Sequence, residues 1–362
     1  MAADLQRVTK HVIGRSPRRP RDLSRRGDQI ARADVGNAEL RWTHYPSRKR
    51  SLRMRGPSSG SRRTRDDSGA ISPHKPFSYL ADGSIFRGRI PRCRPMLIKI
   101  GFDIEFELPS STPMILMLYV HPSRQRDLRS EEKLLVEPDV PLTDFTDLFG
   151  NRCTRILAPA GNLRLSLDTL IEDSGQPDEW RPDAPQHQVE NLPSETLPFL
   201  LTSRYCEVDK LSEIAWNLFG STAPGWPRVQ AICDWVHNHI TFNYQFADPS
   251  KSAFDVYHDP RGVCRDFSHL AIAFCRCMNI PARYISGYMG DIGVPLVLPM
   301  DFSGWLEVYL GDRWYTFDAR HNVARIGRVV MAVGRDAADV ALTTNFGRAL
   351  LKKFFIISDE VS

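Results

Sequence analysis

Cys264 stands in the string Asp259-Pro260-Arg261-Gly262-Val263-Cys264-Arg265-Asp266-Phe267, a turn running into an amphipathic stretch. One of seven cysteines is thereby predicted at the first turn of a helix. A thiol placed there meets the unpaired backbone N–H groups and the positive dipole end of the helix, and both favour thiolate, lowering the pKa from its free value of about 8.5. The chemistry on offer is nucleophilic attack by sulfur. From this string alone the plain alternative, a core cysteine, is equally open, because free cysteine is among the most buried residue types.

The residues that follow say what must hold that sulfur. Phe267, Leu270, Ala271, Phe274, Cys275 and Met278 recur at helical spacing, and Asn279-Ile280-Pro281 ends the run. Ala282 to Tyr288 is rich in aromatic and β-branched residues and predicts a strand. Trp305 to Leu310, Gly311-Asp312 and Arg313 to Asp318 predict a hairpin. If Gly311-Asp312 is a two-residue turn, Leu310 pairs with Arg313 and Ser303 lies diagonal to Asp318; a turn centred one residue earlier puts Ser303 directly opposite Asp318. Either register places Ser303 and Asp318 on one face, since cross-strand partners share a face. A cysteine-headed helix packed on antiparallel strands is the layout of papain-like thiol enzymes.

Four strings in this order, Gly262 to Phe267, Ile280 to Tyr284 with Ser286-Gly287-Tyr288, Trp305 to Leu310, and Trp314 to Asp318, resemble the transglutaminase-like superfamily, in particular its bacterial, protease-related members. Arg320-His321-Asn322 and Arg325-Ile326-Gly327-Arg328 are similar to the same branch. The resemblance implies a Cys, His and Asp catalytic set, matched here by Cys264 and Asp318. The family histidine falls on Ser303, whose hydroxyl cannot take a thiol proton near neutral pH as an imidazole can.

Three other histidines are near in sequence. His269 is about 140° around the helix from Cys264 and is a poor partner. His258 precedes the turn that presents Cys264. His321 lies three residues past Asp318 and can reach the thiol only if the chain turns after Asp318. His321 is the preferred stand-in, although the plain reading of each lone histidine is a surface or satisfied core residue. The candidate site is therefore Cys264, Asp318 and His321. Its chemistry would be acyl transfer from a peptide or protein amide, with the Cys264 N–H as one oxyanion donor and Asp318 orienting the base. Bacterial relatives lean to hydrolysis, which implies a cysteine protease or amidase rather than a cross-linker. The competing reading, from another class, is a catalytically silent binding module that keeps the cleft and has lost its proton acceptor at Ser303.

The rest of the chain is divided by charge. Residues 1–95 hold 23 Lys and Arg against 8 Asp and Glu, whereas 96–362 hold 25 against 35. The first part is rich in Arg, Ser, Pro and Gly without helical or strand period, and is expected to be a largely disordered basic arm. Its charge would attract any polyanion. No aromatic-interleaved nucleic-acid motif accompanies it, and Met96, where the ordered pattern begins, is expected to be the natural start. From there Ile98, Ile100, Phe102, Ile104, Phe106 and Leu108 alternate with Lys99, Gly101, Asp103, Glu105 and Glu107, a half-buried strand. Met114 to Val120 predicts a second strand, and Leu163, Leu165 and Leu167 another. The expected fold is α+β: the arm at 1–95, a small antiparallel β domain at 96–173, a proline-rich linker at 174–193 and a transglutaminase-like core at 194–362. Within the core, Asp209 is expected to cap a helix through Leu218, and a longer helix runs from Pro224 to Ile240.

Seven cysteines, an odd number without paired spacing, argue against a disulfide framework and for a reducing, cytoplasmic compartment. His237-x-His239 is only a fragment of a metal site, so neither metal nor cofactor is expected. No signal-peptide h-region and no run of 18 apolar residues is present, which argues against a membrane span.

Overall fold

The computed structural model describes residues 94–361, all within one compact unit; the basic arm predicted for 1–95 lies, but for its last two residues, outside the described residues. The centre is a helix, Cys264–Cys277, every residue of which is buried. Its start is fixed by Asp266, whose Oδ2 accepts the Val263 N–H at 2.8 Å and satisfies a donor the helix cannot pair itself. Gly262 is required there, because a Cβ would meet Asp266 Oδ2 at 2.5 Å. The helix stops as its sequence predicts: Asn279 takes a left-handed conformation, φ 61°, and the Ile280 N–H returns to the Cys275 carbonyl at 2.9 Å.

Three other helices pack around it: α1 (Val208–Phe219), α2 (Trp226–His239) and α3 (Ala253–His258), with the cysteine helix as α4. Ser252 caps α3, and its hydroxyl and Asp255 satisfy each other's backbone donors. The N-cap of α1 is Glu207 rather than the expected Asp209, which instead lies in the first turn.

The strands, in chain order, are β1 (Met96–Leu108), β2 (Thr112–Leu116), β3 (Leu135–Glu137), β4 (Thr143–Thr146), β5 (Arg152–Ala158), β6 (Gly161–Asp173), β7 (Thr241–Phe242), β8 (Arg261–Gly262), β9 (Ala282–Met289), β10 (Phe302–Leu310), β11 (Arg313–Phe317), β12 (Arg328–Gly334), β13 (Thr343–Asn345) and β14 (Leu350–Glu360). The second strand is thus shorter than its apolar run, ending at Leu116 where Met117 N–H turns to the Leu342 carbonyl. Helix α4 packs on the antiparallel sheet β11-β10-β9-β12. The β10–β11 hairpin turns at Gly311 and Asp312, both with positive φ, as a tight two-residue connection requires. Leu310 pairs with Arg313 and Leu306 with Phe317, which is the two-residue-turn register.

Two further sheets, β14-β1-β6-β3 and β13-β2-β5-β4, share a core with that one. Alternate residues Ile98 to Leu108 of β1 bury against Leu163, Leu165 and Leu167 of β6 and against Tyr288, Phe302 and Val329 of the α4-bearing sheet. Strands β13 and β14 return from the C-terminal end to pair with β2 and β1, so residues 343–360 complete the sheets begun at 96–173.

Candidate active site

Side chains alternate along β10. Gly304, Leu306 and Val308 face α4, whereas Ser303 and Trp305 face the other way. Helix α4 comes close at Gly304, where the Ser268 hydroxyl binds both the Cys264 carbonyl at 3.0 Å and the Gly304 carbonyl at 3.1 Å. A Cβ at 304 would lie 2.1 Å from the Tyr284 hydroxyl, so any larger residue there forces that buried ring to shift. Pairing with β11 ends at Leu306, so this part of β10 has no strand on that side. Cys264 is joined to this stretch through its carbonyl and the Ser268 hydroxyl, and the Gly304 N–H helps to lower its thiol.

The thiol is 3% exposed as a residue. Burial pushes it above its ordinary value, Arg320 and the Gly304 N–H pull it down, and Asp301 adds to the rise. The expected lowering by the helix start is therefore corrected. Desolvation outweighs the dipole and the Arg320 cation.

Asp318 is buried just past β11, and the chain turns there: Asn322 N–H reaches the Asp318 carbonyl at 2.8 Å. Asp318 Oδ1 accepts the N–H groups of Arg320 and His321 at 3.0 and 3.1 Å. Oδ2 accepts His321 Nδ1 and Arg328 Nη2, each at 2.9 Å. Burial pushes the carboxyl up, but Arg328 and the contacts from His321 overcome it and hold it well below the usual carboxylate range. The turn on which the His321 reading depends thus exists, and it folds the imidazole back onto Asp318. Among the described residues, His321 Nε2 has no hydrogen-bond partner.

The turn is clamped from α2. His237 Nδ1 lies 2.9 Å from the Arg320 carbonyl and so donates to it, while Gln230 and Asp234 hold the Asn322 amide at 3.0 and 2.7 Å. Arg328 is held on its other side by Asp178, at 3.0 Å from Nε. Ser303, in the position of the family histidine, is buried and its hydroxyl has no partner among the described residues. The other two histidines are otherwise engaged. His269 is fully buried, accepts the Ala337 N–H at 3.1 Å and stacks on Tyr205, and His258 Nδ1 binds the Phe254 carbonyl at 3.0 Å.

Sequence reasoning missed Arg320, Tyr244, Asp301, His237 and Arg328 as parts of this neighbourhood. Burial raises Tyr244, Asp301 and Cys264 add to the rise and Arg320 opposes it. Only Arg320 and Arg328 carried a signal, by sitting in the strings around His321. Among the described residues no cluster of His, Cys, Asp and Glu is arranged to hold a metal ion, and no helix is long and apolar enough to cross a membrane. The six described cysteines are free and buried.

The family model of the transglutaminase-like superfamily matches residues 214–319. The solved structure of a "Putative Cysteine Protease from Cytophaga hutchinsonii" is 31% identical, with a TM-score of 0.65 over 74% of this chain and 92% of that one. An uncharacterized protein of Mycobacterium leprae is 32% identical over 117 residues, 31% of this chain and 42% of that protein. The Kyphoscoliosis peptidase of Mus musculus is 26% identical over 118 residues, 30% of this chain and 18% of that protein. The matches thus span less than half the length of either curated relative.

Proposed function

Since this chain belongs to the transglutaminase-like superfamily, we propose that it breaks peptide or amide bonds by acyl transfer to Cys264, with His321 as the base and Asp318 orienting it. The observation that carries this reading is the 2.9 Å contact between His321 Nδ1 and Asp318 Oδ2. With Nδ1 donating to the carboxylate, Nε2 is the nitrogen left to accept a proton. The thiol proton passes to Nε2, the sulfur attacks the carbonyl carbon, and the imidazolium returns the proton to the leaving amine. Water then cleaves the thioester with the same histidine as base. The N–H of Cys264 at the helix start would help stabilise the oxyanion. The cysteine-protease neighbour supports hydrolysis over transfer to an amine, and the free cysteines support a reducing, cytoplasmic setting.

A second reading has its own support: Ser303 replaces the family histidine and Cys264 is nearly enclosed, as in a fold kept for binding alone. Alkylation of Cys264 by iodoacetamide between pH 5 and 8, followed by mass spectrometry of its peptide, separates the two. The enzyme reading expects fast, base-dependent labelling that slows in His321→Asn, together with cleavage of members of a peptide library. Slow labelling that follows an ordinary thiol titration, unchanged in the variant, would leave the binding module.

A further inference from the structure

A thiol enzyme without its family histidine lacks a charge as well as a base, because the imidazolium normally sits beside the thiolate. Position 303 offers a neutral hydroxyl in its place. We propose, resting on the thiol reading above, that Arg320 supplies the missing positive charge beside Cys264, favouring its thiolate against burial, while His321 takes the proton.

The backbone of Arg320 is fixed from two sides, its N–H by Asp318 and its carbonyl by His237. Its guanidinium carbon lies 3.8 Å from the centroid of the Phe242 ring. Phe242 is paired with Gly262 across the short parallel ladder of β7 and β8, and Asn243 N–H bonds the Gly262 carbonyl at 3.2 Å. Gly262 stands two residues before Cys264, so the ring that carries the guanidinium is joined to the strand that delivers the sulfur. The Phe242 ring also lies 6.5 Å from Phe267, in the first turn of α4.

Arg320 is half-buried, and among the described residues no carboxylate comes within ion-pair distance of its guanidinium. Its side chain acts on Tyr244, a neutral neighbour whose hydroxyl it pulls down against burial. An arginine in this position usually finds a carboxylate; here its charge remains to act on the sulfur. Among the described residues, the charged and titratable groups acting on Cys264 are Arg320 from the turn after β11, Asp301 from the entry to β10 and Tyr244 from the segment after β7. Of these Arg320 alone is cationic.

The test is the pH dependence of Cys264 alkylation in the full chain, read on its own peptide, for the wild type, Arg320→Lys and two neutral variants, Arg320→Gln and Arg320→Met. Met keeps an apolar stem over Phe242, and circular dichroism selects the neutral variant that folds. The titration of Cys264 is expected to rise by about one pH unit in the neutral variant and to stay near the wild type with Lys. A neutral variant whose curve overlays the wild type, or a Lys variant that rises as far as the neutral one, overturns the assignment. The readout is ionisation, not turnover. A protein that cleaves no peptide but shows the shift loses only the hydrolase reading, and one that cleaves peptides without the shift loses only the role of Arg320.

Discussion

His321 Nδ1 lies 2.9 Å from Asp318 Oδ2 inside a single turn three residues long. The carboxylate and imidazole of the proposed catalytic set are thus joined locally, although position 303, where the sequence resemblance sets the family histidine, holds serine. Four expectations follow from this and from its surroundings.

Replacing His321 with Asn removes the proposed base and little else, since the side chain is partly exposed and Asp318 keeps Arg328. Turnover of any cleaved peptide is expected to fall about 100-fold or more, with little change in the urea midpoint. Turnover equal to the wild type would remove His321 from the mechanism.

Ser303→His tests the sheet geometry. The observed register places residue 303 on the face of Trp305 and Asp318. In the His321→Asn background the new imidazole is expected to recover about tenfold of the lost rate. A folded double variant with no recovery would mean that residue 303 does not reach the sulfur.

Asp318→Asn strips a buried guanidinium of one of its two carboxylates. The loss is expected to be about 3 kcal/mol in urea unfolding near neutral pH, the lower end for a broken buried pair, because Asp178 remains. The Asp318 carboxyl is held low in the folded state, so its contribution is complete above the unfolded pKa of about 4 and fades as pH falls below it. The gap between wild type and variant should therefore narrow from pH 6 to pH 3. A constant gap would assign the effect to lost packing.

Gly304→Ala inserts a methyl group 2.1 Å from the Tyr284 hydroxyl, where the helix start meets β10. Overpacking here is expected to cost about 1–3 kcal/mol and to alter the alkylation rate of Cys264, which the Ser268 hydroxyl ties to the same residue. Urea melts and labelling of the variant check both, and a neutral outcome would show that Tyr284 can move aside.

Elements with a strong local signal were legible in the residues. Alternation from Ile98 to Leu108 gives β1, and the Asn279-Ile280-Pro281 stop closes α4 where it ends; of the two hairpin registers left open at Gly311-Asp312, the structure takes the two-residue turn. Each depends on contacts between near neighbours, so local pattern carries it. Helix α1 starts two residues before the expected cap: Glu207 makes no side-chain cap, and its carboxylate accepts instead from Lys210 and from the distant Phe254 N–H.

Sequence by itself determined that a cysteine heads a buried helix, that Asp318 follows a strand beside it, and that the imidazole expected at 303 is absent. Tertiary structure decided the rest. The 318–321 turn folds His321 back under a clamp from α2, Arg320 lies on a ring paired to the strand before Cys264, and β14 returns to β1 across the chain. It also decided the sign of the thiol's shift. A helix start favours thiolate through groups within one turn, whereas desolvation comes from every element that closes over the sulfur, and those are distant in sequence.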